Sequence, residues 1–391
     1  MKRWPTKLLG EVLELSRERI EPTEHPNTRF NYIGLESIEG HSGKLLAYQP
    51  TAGAEIKSTK NVFHSGEILY GKLRPYLNKV HLASDDGICS TDIYVLRPLQ
   101  THIHPSFAAN YLRSPSVLEV VSSAMVGANL PRIGQDALLG IRVPVPPLAE
   151  QERIVNLLDE ADQLRKLRTQ ADSRNAKLIP ALFHEMFGDP FTNPNGWPLH
   201  SAGELMAACD YGTSQKANEE NRGIPVLRMG NVTIAGELDL EDLKTVELAD
   251  SELEKQRLRA GDVLFNRTNS RELVGKTGMW DGRFDAVAAS YFIRVRFRAD
   301  VEHPQHFTTF MNLPFMKRRL AETARGAVGQ ANINSQELKA ITVPVPPLHL
   351  QQEFAKRVTE IRDMETAQAA NRQRLEDLFQ SLLHRAFNGE L

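Results

Sequence analysis

The sequence predicts two tandem, unlike units joined by two long helices that pair with each other. Three observations predict this: a duplication at an offset of 200 residues, a proline-rich segment in each copy, and apolar residues at helical spacing after each proline segment. Val143-Pro144-Val145-Pro146-Pro147-Leu148 recurs as Val343-Pro344-Val345-Pro346-Pro347-Leu348, and the register then holds without gaps. Gln151 falls on Gln351, Ile154 on Phe354, Leu178 on Leu378, His184 on His384 and Phe187 on Phe387.

The stretches before each proline segment correspond more loosely. Trp4-Pro5 opens the first and Trp197-Pro198 the second. Gly66-Glu67-Ile68-Leu69-Tyr70 resembles Gly261-Asp262-Val263-Leu264-Phe265, and Gly127-Ala128 matches Gly326-Ala327. The order is therefore variable unit, shared helix, variable unit, shared helix, with boundaries at 1–147, 148–190, 191–347 and 348–391. Two copies that agree in one part and diverge in another read as a constant scaffold carrying two different sensors.

Proline cannot continue a helix and restricts the residue before it, so each proline segment is a stiff, extended lead. Residues 148–187 then read as one amphipathic helix with an apolar stripe at Ile154, Leu157, Ala161, Leu164, Ala171, Leu178 and Leu182. Pro180 should kink or interrupt it near its end, and Phe187-Gly188-Asp189-Pro190 stops it. The second stripe is Phe354, Val358, Ile361, Met364, Leu375, Leu378 and Leu382. The simplest cover for each stripe is the other copy, in an antiparallel coil. That pairing brings together the polar middles, Arg168 and Asn175 with Gln368 and Asn371, and buried polar seam residues fix register. The alternative is that each helix packs separately on its own unit.

With 391 residues, 41% hydrophobic and 25% charged, the chain exceeds one ordinary core. No apolar run has the length of a bilayer span and Met1-Lys2-Arg3-Trp4-Pro5 leads into no signal-like stretch, so a cytoplasmic protein without membrane contact is expected. Two distant cysteines, Cys89 and Cys209, argue against a disulfide framework or a cysteine metal site. The net charge of −2 gives no support for nucleic-acid binding, but the distribution does. Residues 201–254 hold twelve acidic against four basic residues, and residues 255–298 hold ten basic against four acidic. Lys57, Lys60, Lys72, Arg74 and Lys79 form a smaller basic stretch opposed only by Glu67. Such segregation permits a basic surface on a neutral protein.

No constellation for chemistry survives inspection, so no catalytic residue and no metal site are expected. Asp159-Glu160-Ala161-Asp162 matches a helicase box but lies inside the helical stripe. Gly275-Lys276-Thr277 matches the end of a phosphate loop, yet Ser270 stands where the first glycine must turn the chain. Glu55-Ile56-Lys57 is a common surface triplet, and His303-Pro304-Gln305-His306 lacks companions at metal-ligand spacing.

Val-Pro-Val-Pro-Pro-Leu-Ala-Glu-Gln-Glu-Arg-Ile at 143–154 resembles the Pro-Pro-Leu-x-Glu-Gln segment that opens the conserved helix of type I restriction–modification specificity subunits. The copy at 343–354 departs from it, since Leu350 replaces the acidic residue while Gln351 is kept. Gly-Asp-Val-Leu-Phe-Asn-Arg at 261–267, followed by Glu272-Leu273-Val274-Gly275-Lys276, is similar to the central strand and turn of that family's target-recognition domains. The resemblance implies an α+β protein: two tandem α/β target-recognition domains on an antiparallel coiled coil, with pseudo-twofold symmetry. It further implies a non-catalytic subunit that reads a bipartite double-stranded DNA target and docks two adenine-methylating modification subunits and, through them, restriction subunits. S-adenosylmethionine, ATP and Mg²⁺ then belong to those partners, with no cofactor on this chain. The alternative is an assembly scaffold whose DNA recognition has degenerated.

Base readout needs Arg, Lys, Asn or Gln at base edges, with further cations on phosphates. The candidates are Lys72, Arg74, Asn78 and Lys79 after the first shared strand, and Asn266, Arg267, Asn269 and Arg271 after the second. Loops following the Gly-Ala pairs add Asn129, Arg132, Gln330 and Asn332. A coil that sets the distance between two readers also sets the unread spacer between half-sites, since equivalent groove faces recur about every 34–36 Å. Inserting about one heptad within 151–182 is therefore expected to lengthen the spacer and leave both half-sites unchanged.

Overall fold

A computed structural model describes residues 4–46, 49–219, 222–324 and 331–391. The chain forms two compact units, Met1–Arg168 with Asn371–Leu391, and Thr169–Ala370. Each unit therefore contains its own stretch of both shared helices.

In the first unit a four-stranded antiparallel sheet has the order Leu13–Leu15, Ile93–Pro98, Ile68–Gly71, Val80–Leu82. Side chains of a strand alternate between faces, and the central strand obeys this. Ile68 and Tyr70 join the helices Pro105–Arg113 and Pro115–Ala124 in one core, whereas Leu69 enters a second core with Phe63 and Cys89. That second core lies against another four-stranded sheet, ordered Arg19–Ile20, Lys60–Phe63, Gly87–Cys89, Tyr32–Ile33. A strand covered on both faces explains the unbroken apolar run Ile68-Leu69-Tyr70.

The second unit repeats the plan. Its main sheet runs Met206–Tyr211, Phe292–Phe297, Val263–Asn266, Thr277–Met279, with helices Pro304–Asn312 and Pro314–Thr323 on one face. Val263 and Phe265 face those helices, and Leu264 faces a smaller core around Trp280.

Two shared motifs prove to be structural. Gly66 and Gly261 adopt φ of 85° and 86°, the left-handed region where glycine is at ease. The acid that follows is buried: Glu67 accepts from the backbone N–H of His64 at 2.9 Å and pairs with Arg97 at 2.6 Å. Asp262 accepts from the backbone N–H of Arg259 at 2.9 Å and pairs with Arg296 at 2.6 Å. Gly-acid is thus a turn closed by a buried carboxylate.

The proline segments are the second. Thr6–Leu8 pairs antiparallel with Arg142–Pro144, and Leu199–Ser201 with Thr342–Pro344. The N–H of Val145 donates to Pro5 O at 2.8 Å, and that of Val345 to Pro198 O at 2.9 Å. The Trp-Pro start of each unit is therefore clasped to its Val-Pro end. Just inside the following helix, Gln151 is wholly buried, accepts from the N–H of His104 at 2.8 Å and donates to Pro146 O at 2.8 Å and His102 O at 3.0 Å. Gln351 does the same with His303 at 2.7 Å, Pro346 O at 2.8 Å and Val301 O at 3.2 Å. Burying a polar side chain is tolerable only with such full pairing.

The shared helices are α1 (Leu148–Asn175), α2 (Leu178–Phe187) and α3 (Leu348–Asn388). The interruption after Asn175 is upstream of Pro180, whose ring clashes with the carbonyl four residues back; in the first turn of α2 proline is tolerated. In the first unit Ile154, Val155 and Leu158 of α1 pack with Leu383, Ala386 and Phe387 of α3, and Arg165 pairs with Glu376 at 2.7 Å. In the second, Phe183 and Phe187 of α2 pack with Phe354 and Val358 of α3, and Asn175 hydrogen-bonds Gln368. Rising numbers on one helix meet falling numbers on the other, so the pairing within each unit is antiparallel. Each pair of helix ends is also set into the core of its unit, but as a pair, so the helices do not pack separately.

The seam differs from the expected stripe in its middle. Ile154, Phe354 and Val358 are buried, and Leu157, Ala161, Leu182, Ile361, Leu375 and Leu382 are half-buried. Leu164 (53% exposed), Met364 and Leu378 (both 52%) and Leu178 (41%) face outward. The inward position is taken instead by Arg165, whose guanidinium lies over the Phe379 ring at 4.3 Å. Its long apolar stem covers surface that a leucine would have covered. Among the polar residues expected there, Asn175 and Gln368 meet, while Asn371 is exposed.

Candidate nucleic-acid interface

Two loops far apart in sequence converge in each unit. In the first, Leu73 bridges Arg132, the N–H of Arg74 donates to Pro131 O at 2.7 Å, and the N–H of Ile133 donates to Lys72 O at 3.1 Å. In the second, strand Thr268–Asn269 pairs with Ala331–Asn332, and the N–H of Ile333 donates to Arg267 O at 2.9 Å. The two sequence-predicted candidate sets are therefore neighbours, and the duplication places Lys72 where the other unit has Arg267.

Both cations are held on a tyrosine. The Lys72 ammonium lies 5.2 Å from the centre of the Tyr94 ring, and the Arg267 guanidinium 4.8 Å from that of Tyr211. Arg267 also donates to Asn332 Oδ1 at 3.2 Å. The Tyr211 hydroxyl donates to Ser335 Oγ at 3.2 Å and accepts from the Ser335 N–H at 3.1 Å; those bonds, with Arg267 nearby, draw its pKa below the ordinary phenol value. An oriented cation above a fixed ring is suited to a base edge or a phosphate. Neither tyrosine was among the sequence candidates. Both approach the loops from other strands, and only the tertiary pairing reveals the contact.

Around these centres, Arg74, Asn129 and Arg271 are exposed, and Arg132 pairs loosely with Asp92 at 3.3 Å. Asn269 bonds Asn266 Oδ1 at 3.3 Å and caps the turn through the N–H of Ser270 at 2.9 Å. Gln330, with Gly326-Ala327, lies outside the described residues.

Three candidates are corrected by their surroundings. Asn78 is buried and donates to Arg113 O at 2.9 Å, in a left-handed turn with φ of 49°. Asn266 has no exposed surface. Lys79 spends its ammonium on Leu35 O at 2.6 Å. Side chains that close the fold cannot reach a base.

The charge segregation also reads differently in three dimensions. Lys60 is buried, with its ammonium on the carbonyls of Lys57 at 2.5 Å and Ser58 at 2.9 Å. In the second unit Arg294 pairs with Asp210 at 3.1 Å, Arg296 with Asp262, and Arg257 with Asp285 at 2.5 Å. Much of the basic run is therefore neutralised locally, while Arg267 and Arg271 remain at the loop pair. Among the described residues no cluster of His, Cys, Asp or Glu could hold a metal, and no helix is long and apolar enough to cross a membrane.

Comparison with known proteins agrees with this repeated architecture. The family model for the type I restriction modification DNA specificity domain matches twice, over residues 1–173 and 194–377. The chain is 30% identical over 322 residues to the EcoKI specificity subunit of Escherichia coli K12, covering 76% of this chain and 68% of the relative. It is 27% identical over 319 residues to the StySPI specificity subunit of Salmonella potsdam, covering 76% and 67%. A solved chain from work on complex assembly and conformational transition of the type I R-M system has a similar fold, with a TM-score of 0.68 at 24% identity over 99% of this chain and 98% of that one. The S subunit of a type I system from M. genitalium also shares the fold, with a TM-score of 0.55 at 15% identity over 98% and 96%.

Proposed function

This chain belongs to the type I restriction–modification DNA specificity family, non-catalytic subunits that recognise DNA, and from that premise we propose that it reads a bipartite double-stranded target, one half per unit. The observation that carries the reading is the repeated loop pair, with a tyrosine-supported cation at the same place in both units and different residues around it. Lys72, Arg74, Asn129 and Arg132 serve the first half-site; Arg267, Asn269, Arg271, Gln330 and Asn332 serve the second. The outward faces of the paired helices dock two adenine-methylating modification subunits, and restriction subunits join through them. S-adenosylmethionine, ATP and Mg²⁺ act on those partners, in the cytoplasm.

Methyl transfer tests this reading. Co-expression with the modification subunits, followed by sequencing of methylated adenines, should yield two short sequences separated by an unread spacer. A single contiguous motif would refute the bipartite reading, and absence of methylation from an assembled complex would leave a scaffold with degenerate recognition. Because the helices pair antiparallel inside each unit, a change of spacer needs matched seven-residue insertions in both partners. Such a variant is expected to methylate the same half-sites at a longer spacing.

A further inference from the structure

The loop that carries Asn129 displays more than polar side chains. The N–H and carbonyl groups of Val126 and Arg132 exchange two hydrogen bonds of 2.9 Å, closing a tight hairpin. Two aliphatic side chains stand out from it: Val126, in the closing pair, is 77% exposed and Leu130, in the loop, is 46% exposed. Arg132 stands opposite Val126 in the closing pair and its guanidinium donates to Leu130 O at 3.4 Å, while the exposed Arg74 is tied to the same loop through its backbone N–H on Pro131 O. Asp92, an acid next to this loop, already pairs with Arg132. A cationic rim repels a basic protein surface and attracts a polyanion. The one sizeable apolar group that duplex DNA offers at a base edge is the thymine 5-methyl group in the major groove.

We infer that Val126 and Leu130 form a specificity element of the first unit that recognises a thymine 5-methyl group. The inference rests on the DNA-reading function proposed above. Arg74 and Arg132 anchor phosphates on either side, and the two aliphatic side chains favour a T·A pair over C·G by burying that methyl group.

Replacing thymine by deoxyuridine removes the methyl group and nothing else. The purified complex with modification subunits is titrated with duplexes carrying its methylated motif, each thymine of the half-sites replaced in turn. One position of one half-site should lose about four-fold in affinity, the scale of one buried methyl-sized group. The double variant Val126→Ser, Leu130→Ser should show the same loss on thymine DNA and no further loss on deoxyuridine DNA. Because both residues are exposed, the variant folds; unchanged thermal unfolding verifies this. Specific binding that is indifferent to deoxyuridine everywhere, or half-sites without any T·A pair, would overturn this inference and leave the DNA-reading function standing. A double variant with normal DNA affinity that fails to retain modification subunits would assign the patch to a protein and overturn it too. Absence of specific binding by the unaltered complex would remove the premise, and the inference with it.

Discussion

The two units place unlike side chains at equivalent points of a common core. In the first unit, helix Pro105–Arg113 contributes Phe107, with Ile103 just before it, and both are fully buried. In the second, helix Pro304–Asn312 contributes His306, with Glu302 before it, buried and hydrogen-bonded at 2.7 Å. Phe107 meets Phe387 edge-on at 5.2 Å; His306 meets Phe187 edge-on at 5.0 Å and stacks on Phe183. One helix later, Leu118 corresponds to Lys317, whose ammonium donates to Gly275 O at 2.9 Å. Meanwhile the Gln151 and Gln351 bonds and the Glu67 and Asp262 turns are the same in both units. Groups that bind the backbone have kept their chemistry; groups that only fill volume have changed it, provided that a local partner came too.

The largest test of this contrast is His306→Phe, which installs the first unit's residue but leaves Glu302 buried without its partner. It should cost about 3–5 kcal/mol in denaturant unfolding. Adding Glu302→Ile should recover that loss and end near or above the parent, because a packed apolar pair avoids desolvating ionisable groups. A double variant as unstable as the single one would show that the histidine pair cannot be exchanged for the apolar one.

Gln151→Leu and Gln351→Leu probe the opposite claim, that these sites are equivalent. Each leaves a buried N–H and two carbonyls unpaired, so each should destabilise its own unit by about 3 kcal/mol. Unequal effects in calorimetry would break the equivalence.

Lys317 sets up a difference in pH response. Burial, with Lys276 close by, brings its pKa from 10.5 down to about 7. Between those values the unfolded chain binds a proton that the folded chain does not, so the stability of the second unit should rise with pH across that window. Lys317→Leu should flatten the profile and stabilise by roughly 2–3 kcal/mol at pH 7. Melting curves from pH 7 to 10 check it; a profile unchanged by the substitution would assign the dependence elsewhere.

Smallest is the reading difference. Arg267→Ala should weaken target binding by about 1–3 kcal/mol if it contacts a base, and relax only one half-site. Lys72→Ala should act on the other half-site. Either variant altering both halves would contradict the division of labour between the units.

Much of this organisation was legible in the sequence because duplication is a pattern of identity and needs no folding to be seen. The offset of 200 residues places the Val-Pro strand of each clasp, the buried glutamines and the helix ends at Phe187 and Phe387, and the repeated Trp-Pro marks the other strand. What stayed hidden depends on contacts between distant strands. Nothing near Arg267 in sequence announces Tyr211, and Lys60, Lys79 and Asn78 look like surface residues until the carbonyls they serve are located. The seam was misread at Leu164 for another reason. Apolar spacing identifies a helix face, but an arginine stem lying on a phenyl ring can outcompete the nearest leucine for the inward position.

The clasp between Thr6–Leu8 and Arg142–Pro144, repeated at Leu199–Ser201 and Thr342–Pro344, has an evolutionary corollary. A reader whose two ends emerge side by side from one short ladder is a cartridge: a polypeptide that closes the same ladder and offers the helix ends and the buried glutamine the same bed can replace it without disturbing what lies beyond. Recombination at the Trp-Pro and Val-Pro borders would then deliver a new half-site specificity in a single genetic event.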